Sequence, residues 1–281
     1  MKTKETVTAP DRMAELSAAR SAARAASEAI ASDFGKRNIT SRKGKYDVQL
    51  RADVVAERVI VERLTKEFSD YGIVSEEEMQ DAWEHSLTTW VVDPLDGTNN
   101  FGFGIAHCAV AITLFENDAP VMALVHDPIL GREFTAPAIR TAVPPDPFPV
   151  PLRHATVALV TDYSEEGRVV GRGLADALGR HCKRVTTMWA PALDLALVSS
   201  GALDGMVCRN ASLLDVCAGI FLVQRLGGCV LDPSGRPLRL RKSLHSAPVS
   251  FVAAGSEPLA RELLGIAPPA HAGKAGRDGH E

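Results

Sequence analysis

The sequence predicts a mixed fold of α-helices and β-strands in two halves. Three observations lead there. Segments with helical apolar spacing alternate with short runs of β-branched and aromatic residues, so neither an all-helical nor an all-strand fold fits. Prolines 144, 145, 147, 149 and 151 keep 143–151 from being a helix or a central strand, which marks a connector between an N-terminal half (1–142) and a C-terminal half (152–267). Finally, Trp90-Val91-Val92 reads as a buried strand that stops at Pro94 and holds Asp93 and Asp96 at its carboxyl end.

Each element has a local reason. Asp11 caps a first helix reaching Phe34, with a weak apolar stripe through Met13, Leu16, Ala23 and Ile30 and Gly35 just past its end. A basic loop follows, with Lys36, Arg37, Arg42, Lys43 and Lys45. Residues 53–68 form a second helix, whose Val54, Val55, Val59, Ile60 and Leu64 are spaced for one buried face. A short strand over 71–74 runs into Glu76-Glu77-Glu78. Strands at 107–115 and 121–126 are joined by a turn at Asn117-Asp118, and 131–135 adds another. Beyond the connector come a strand at 155–161 and a helix over 169–178 that Gly171 and Gly173 weaken. A helix over 191–200 opens on Pro191 and closes at Gly201. A strand at 206–208, a helix over 215–226, and strands at 229–231 and 249–253 complete the half. From Pro268 the chain is Ala, Gly and charge, which predicts a disordered tail over 268–281.

Composition removes several function classes. Hydrophobic residues make up 46% and charged residues 23%, ordinary for a globular protein. A net charge of −4 gives no general reason to bind nucleic acid or membrane. The five cysteines form no Cys-x-x-Cys pair and read as reduced, buried residues of a cytoplasmic protein. Residues 1–10 are polar with no apolar signal core, and no apolar run is long enough to span a bilayer.

Asp53, Glu76, Glu77, Asp93, Asp96 and Asp215 each fall beside a predicted strand end or helix start. Several such carboxylates with one backbone carbonyl suit hard cations such as Mg²⁺. Ordinary roles compete: Asp53 and Asp215 also suit helix caps, and Glu77 and Glu78 a solvated surface.

Glu76-Glu77, then Asp93-Pro94-Leu95-Asp96-Gly97-Thr98, then Leu214-Asp215-Val216-Cys217-Ala218-Gly219 resemble the inositol monophosphatase family in order and spacing, over about residues 10–265. The resemblance implies a layered αβαβα architecture, with an N-terminal α+β half, a C-terminal α/β half and the active site between them. It implies a Mg²⁺-dependent, lithium-sensitive phosphatase with two or three ions per site, commonly a homodimer, acting on a small phosphorylated metabolite. Glu76, Asp93 and the Leu95 carbonyl would hold one ion; Asp93, Asp96 and Asp215 would hold a second. Asp53 and Thr98 match the pair that orients and helps deprotonate the attacking water, and the amides of Gly97 and Thr98 match the phosphate cradle.

The chain departs from the family on the substrate side. Leu214 stands where tryptophan is usual, and Asn99 where threonine is. Cys208 occupies the place of a glutamate that grips sugar hydroxyls in inositol-specific members. Trp189-Ala190-Pro191 replaces a Gly-Ser/Thr-Ala run that should border the leaving-group pocket. These positions predict a poor myo-inositol 1-phosphatase. Fructose 1,6-bisphosphate, a 3′-phosphonucleotide and histidinol phosphate are alternative substrates. A non-catalytic metal- or phosphate-binding protein is the reading from another class. Arg42, Lys43 and Lys45 suit either a solvated loop or a contact with phosphate, and Arg239, Arg241 and Lys242 read as a basic surface patch.

Overall fold

The computed structural model describes residues 12–42, 45–46, 48–76, 83, 86–136 and 150–267. The expected Asp11 cap, residues 143–149 of the connector and the 268–281 tail lie outside these, as do Lys43, Glu77 and Glu78.

Small side chains set the first layer. In α1 (Met13–Ile30), Ala19, Ala22, Ala23 and Ala26 are completely buried between Leu16 and Ile30. That narrow face packs along α2 (Arg51–Glu67), which buries Ala52, Ala56, Ile60 and Leu64. The expected α2 stripe is rotated: Ile60 and Leu64 are buried and Val55 and Val59 pack half-buried beside them, but Val54 is exposed, and Ala52 and Ala56 take core positions. Between the helices, the expected basic loop carries an antiparallel hairpin, β1 (Ile39–Arg42) and β2 (Val48–Leu50): Arg42 ends β1, while Lys36, Arg37 and Lys45 lie outside its strands.

The first sheet has the order β3-β4-β5-β6-β7. Here β3 (Gly72–Val74) is parallel to β4 (Thr88–Asp96), while β5 (Ala109–Glu116), β6 (Ala119–His126) and β7 (Glu133–Ala136) continue antiparallel. Strand alternation divides its residues. Trp90 and Val92 face α1 and α2, whereas Val91 faces the opposite side. β4 does not stop at Pro94. It runs on to Asp96 because the β4–β5 register breaks between Asp93 and Asp96, so the proline falls at an irregularity where no ladder donor is needed.

The second sheet has the order β11-β12-β10-β8-β9. Its strands are β8 (Thr156–Thr161), β9 (Arg184–Thr186), β10 (Gly205–Ala211), β11 (Cys229–Leu231) and β12 (Val249–Ala254). After α3 (Thr98–Phe103), the helices are α4 (Glu165–His181), α5 (Pro191–Ser199), α6 (Leu213–Arg225) and α7 (Glu257–Ile266). The α5–α6 pair packs between the two sheets, and α4 and α7 cover the far face of the second. The layers therefore run αβαβα.

Several differences from expectation share a cause. α4 is longer than 169–178: Ser164 caps it, and Gly171 lies where a Cβ would come within 2.9 Å of the Thr161 hydroxyl. That glycine serves close packing of helix on strand, not termination. The short β9 and the polar-faced α7 carry too little pattern to be read locally. Lys242 is not surface either. It is buried and donates to the Ser86 carbonyl at 2.6 Å and the Thr89 hydroxyl at 2.9 Å, tying the second half to β4.

The α5–α6 contact is tight. A Cβ on Gly219 would lie 2.3 Å from the Leu195 Cβ. Alanine in a helix interior normally gains about 1 kcal/mol over glycine, but overpacking here should outweigh it. Gly219→Ala is expected to destabilise by about 1–3 kcal/mol in urea denaturation, and a net gain would contradict the close helix approach.

Candidate active site

The break in β4 creates the site. Residues 93–96 leave the regular ladder, and Asp93 folds back so that its Oδ1 accepts the Leu95 amide at 3.1 Å. Gly97 then turns the chain into α3 with φ +78°, a left-handed conformation that favours glycine. A Cβ there would also lie 2.8 Å from the His107 carbonyl and 3.0 Å from the Ala190 Cβ, so this position excludes other residues twice over. The amides of Gly97 and Thr98 stand at the opening of α3, where first-turn N–H groups have no intrahelical acceptor.

Thr98 has one hydroxyl proton and two oxygens in reach: Asp53 Oδ1 at 2.7 Å and the Leu95 carbonyl at 2.9 Å. Donation to the carboxylate is the stronger choice. The other oxygen of Asp53 accepts the Leu50 amide at 2.8 Å at the start of α2. Asp53 thus fulfils both readings of it. It caps its helix from the third helical position, and it lies buried directly behind Thr98 rather than on the cleft wall.

A cleft of about 210 Å³ gathers Glu76, Asp93, Leu95, Asp96, Gly97, Thr98 and Asp215. Asp215 lies in the first turn of α6, whose N-cap is Ser212, accepting from the Leu214 amide at 3.2 Å. Asp96 is tied across the halves: its Oδ2 accepts the Leu193 amide of α5 at 2.9 Å. Burial, then the charges of Asp96, Asp215 and Glu76, push the Asp93 pKa well above the usual carboxylate range. Burial does the same to Asp96 despite the α5 amides, with Asp215 and Asp194 adding to the rise. Among the described residues, no three His, Cys, Asp or Glu side chains are gathered tightly enough to cage an ion alone. Mg²⁺ keeps several waters and needs only a few carboxylates, so an open set of like charges facing one cleft fits it. Glu76, Asp93, the Leu95 carbonyl, Asp96 and Asp215 are the groups able to hold such ions.

Not every expected substrate contact reaches the cleft. Trp189 and Pro191 line it, whereas Ala190 is buried beneath, against Gly97. Cys208 does not line it. Strand alternation in β10 turns Cys208 and Met206 into the core between the sheets, and Val207 to the outer face. The β10–β12 register shifts after Cys208, and Asn210, at φ +59°, enters the cleft instead. Asn210 donates to Asp162 at 2.9 Å. Burial works against the Asp162 charge, yet hydrogen bonds from Ser164 and Asn210 hold its pKa below the usual range. The sequence reading missed Thr161, Asp162, Tyr163, Asn210 and Ser212. All lie at or just beyond the carboxyl ends of the parallel strands β8 and β10, where open α/β sheets place ligands, and that was the available signal.

Trp189 keeps a backbone suited to glycine, with φ +52°, and meets Tyr163 edge-to-face at 4.1 Å. Asn100 supports this corner by donating to the Met188 and His107 carbonyls. His107 falls at the start of the strand expected over 107–115. It precedes β5 and lies 2.9 Å from Asp194 in α5, a second tie between the halves. No cysteine is a ready nucleophile here: burial pushes the Cys108 and Cys217 thiols up to about 12.

A layered αβαβα fold with converging carboxylates and an amide-lined turn at the boundary of its halves defines a metal-using phosphatase. More narrowly, the chain belongs to the inositol monophosphatase family, whose model matches residues 11–264. It is similar to the inositol-1-monophosphatase of Rhizobium meliloti, 31% identical over 256 residues, covering 85% of this chain and 90% of that protein. It is also similar to the fructose-1,6-bisphosphatase of Pyrococcus furiosus, 28% identical, covering 76% of this chain and 81% of that one. The solved structure of extragenic suppressor protein suhB from Bartonella henselae superposes with a TM-score of 0.78 at 26% identity, covering 92% of this chain and 99% of that one. No helix among the described residues is long and apolar enough to cross a membrane.

The raised Asp93 pKa has a signed consequence. The folded protein holds that proton more tightly than the unfolded chain, so stability falls as pH climbs from the ordinary carboxylate value towards the raised one. In chelator-treated protein, Asp93→Asn removes this penalty. The variant should melt above the parent, by a margin that widens upward from about pH 4. Equal melting temperatures across that window would contradict the buried-charge assignment.

Proposed function

We propose that the chain is a Mg²⁺-dependent phosphomonoesterase that hydrolyses a small phosphorylated metabolite of inositol or sugar type. The observation that supports this most directly is the meeting, in one cleft, of Glu76, Asp93, Asp96 and Asp215 with the Gly97–Thr98 turn. Divalent ions held by these carboxylates and the Leu95 carbonyl would neutralise phosphate charge and make a water more acidic.

The chain's own residues supply the rest. The Gly97 and Thr98 amides bind non-bridging phosphate oxygens. Thr98 already directs its proton at Asp53, so its lone pairs face outward to accept a proton from water while its own passes to Asp53 Oδ1. Asp96, held by the Leu193 and Ala192 amides of α5, lines the cleft where it would share in holding an ion. Trp189 limits the leaving group, and Asn210 and Ser212 offer it polar contacts. With Cys208 turned into the core, nothing at that position grips a ring hydroxyl, which supports weak turnover of myo-inositol 1-phosphate. A cytoplasmic homodimer is the assembly we infer from the family.

Phosphate release across a panel of phosphomonoesters, with and without Mg²⁺ and Li⁺, is the direct test. Activity should require Mg²⁺ and fall with Li⁺; release from no member would reject the reading. Asp96→Asn, which keeps an oxygen for the Leu193 amide, should abolish turnover while the protein stays folded by circular dichroism. Thr98→Ala should lower kcat by about 10²–10⁴-fold, and unchanged kcat would remove Thr98 from the proton path.

A further inference from the structure

Beside the acidic cleft lies a second chamber of about 450 Å³. Arg37, Arg42, Lys45 and Arg168 line it, with the rings of Tyr46 and Phe103 between them. No carboxylate lines it among the described residues. The first cleft is the reverse: Glu76, Asp93, Asp96, Asp162 and Asp215 line it, with no Lys or Arg among the described residues of its wall. Asn99, Tyr163 and Trp189 belong to both, so the chambers adjoin across a shared wall.

The four cations come from three places in the chain: the approach to β1, the β1–β2 hairpin, and the first turn of α4. Aromatic faces hold three of them in position. The Arg168 guanidinium stacks over Tyr46 at 4.4 Å and donates to its hydroxyl at 2.5 Å, while Lys45 lies over the same ring at 5.1 Å. Arg37 lies over Phe103 at 4.6 Å. Cation–π contacts orient these groups without cancelling their charge. Several positive charges converging on one hollow repel one another, and a multiply charged anion relieves that repulsion. Guanidinium forks match the geometry of phosphate.

We propose that this chamber is a second anion subsite, so that the substrate is a phosphomonoester whose leaving group carries a further phosphate. This rests on the phosphatase reading above. The scissile phosphate occupies the acidic, ion-holding cleft, and the second phosphate sits among Arg37, Arg42, Lys45 and Arg168. The body joining them passes the Trp189–Tyr163 wall, whose ring faces accept either a sugar or a nucleobase. Trp189 in place of a smaller residue then screens the two charge fields from each other and positions the connecting body.

The test compares matched pairs: fructose 1,6-bisphosphate against fructose 1-phosphate, and adenosine 3′,5′-bisphosphate against adenosine 3′-monophosphate. At least one bisphosphate should exceed its partner in kcat/KM by about tenfold or more, the scale of one hydrogen bond to a charged group. Preference within the sugar pair identifies a sugar bisphosphate, and preference within the adenosine pair a nucleoside bisphosphate. The double variant Arg42→Ala/Arg168→Ala, checked for folding by thermal melting, should bring that ratio close to one, chiefly through KM. Calorimetric titration of both proteins with the two bisphosphates, in Mg²⁺ and in chelator, separates the subsite from the chemistry. Binding that the double variant loses, without hydrolysis of any phosphomonoester, would reject the phosphatase reading and keep the subsite. Ratios near one in the parent protein, or binding indifferent to the two arginines, would overturn the subsite.

Discussion

The hydrogen bond from the Leu193 amide to Asp96 is the contact on which the rest of the site depends. It joins the end of a first-sheet strand to the beginning of a helix in the central layer. Asp96 is buried and surrounded by like charges, so it would swing outward if nothing opposed the repulsion. The amides of α5 supply an opposing partner. The His107–Asp194 pair and the Lys242 bonds to Ser86 and Thr89 reinforce the same seam. These ties hold the two sides of the cleft against each other, the kind of preorganisation that electrostatic catalysis uses.

A division of charge follows from that seam. Carboxylates from the first-sheet strands and from α6 accumulate on one side, where only an added cation relieves them. Arginines and a lysine from the hairpin and α4 accumulate on the other, where an anion does. Between them, Trp189 and Tyr163 meet edge-to-face at 4.1 Å and form an apolar partition. A tryptophan held at φ +52° is a backbone arrangement of a kind that costs about 1–3 kcal/mol. Its persistence indicates that the surrounding packing, including the bonds from Asn100 to the neighbouring carbonyls, over-determines this corner.

Local patterns carried much of the architecture. The helices of the first half and of the central layer and most strands follow from spacing, prolines and glycines. What failed locally failed for tertiary reasons. β4 passes through Pro94 because its partner strand shifts register there. Val54 is exposed because alanines set the distance between α1 and α2. Lys242 is buried because a hydroxyl and a carbonyl from the other half wait for it. No window of sequence contains both members of such pairs.

The site divides in the same way. The residue types and spacing of Glu76, Asp93, Asp96, Gly97, Thr98 and Asp215 suggested phosphate and metal chemistry, and the fold brings all six to one cleft, each from an element end that its own neighbours define. Strand parity decided the leaving-group side. Cys208 looked like a pocket residue by its separation from Asp215, but alternation along β10 turned it into the core and a register shift delivered Asn210. The sequence by itself determined which reaction this chain is built for, since that information is short-range. Only the tertiary structure decided what surrounds the leaving group, because that wall is assembled from β8, β10, the hairpin and α4, and its geometry depends on which way each backbone faces.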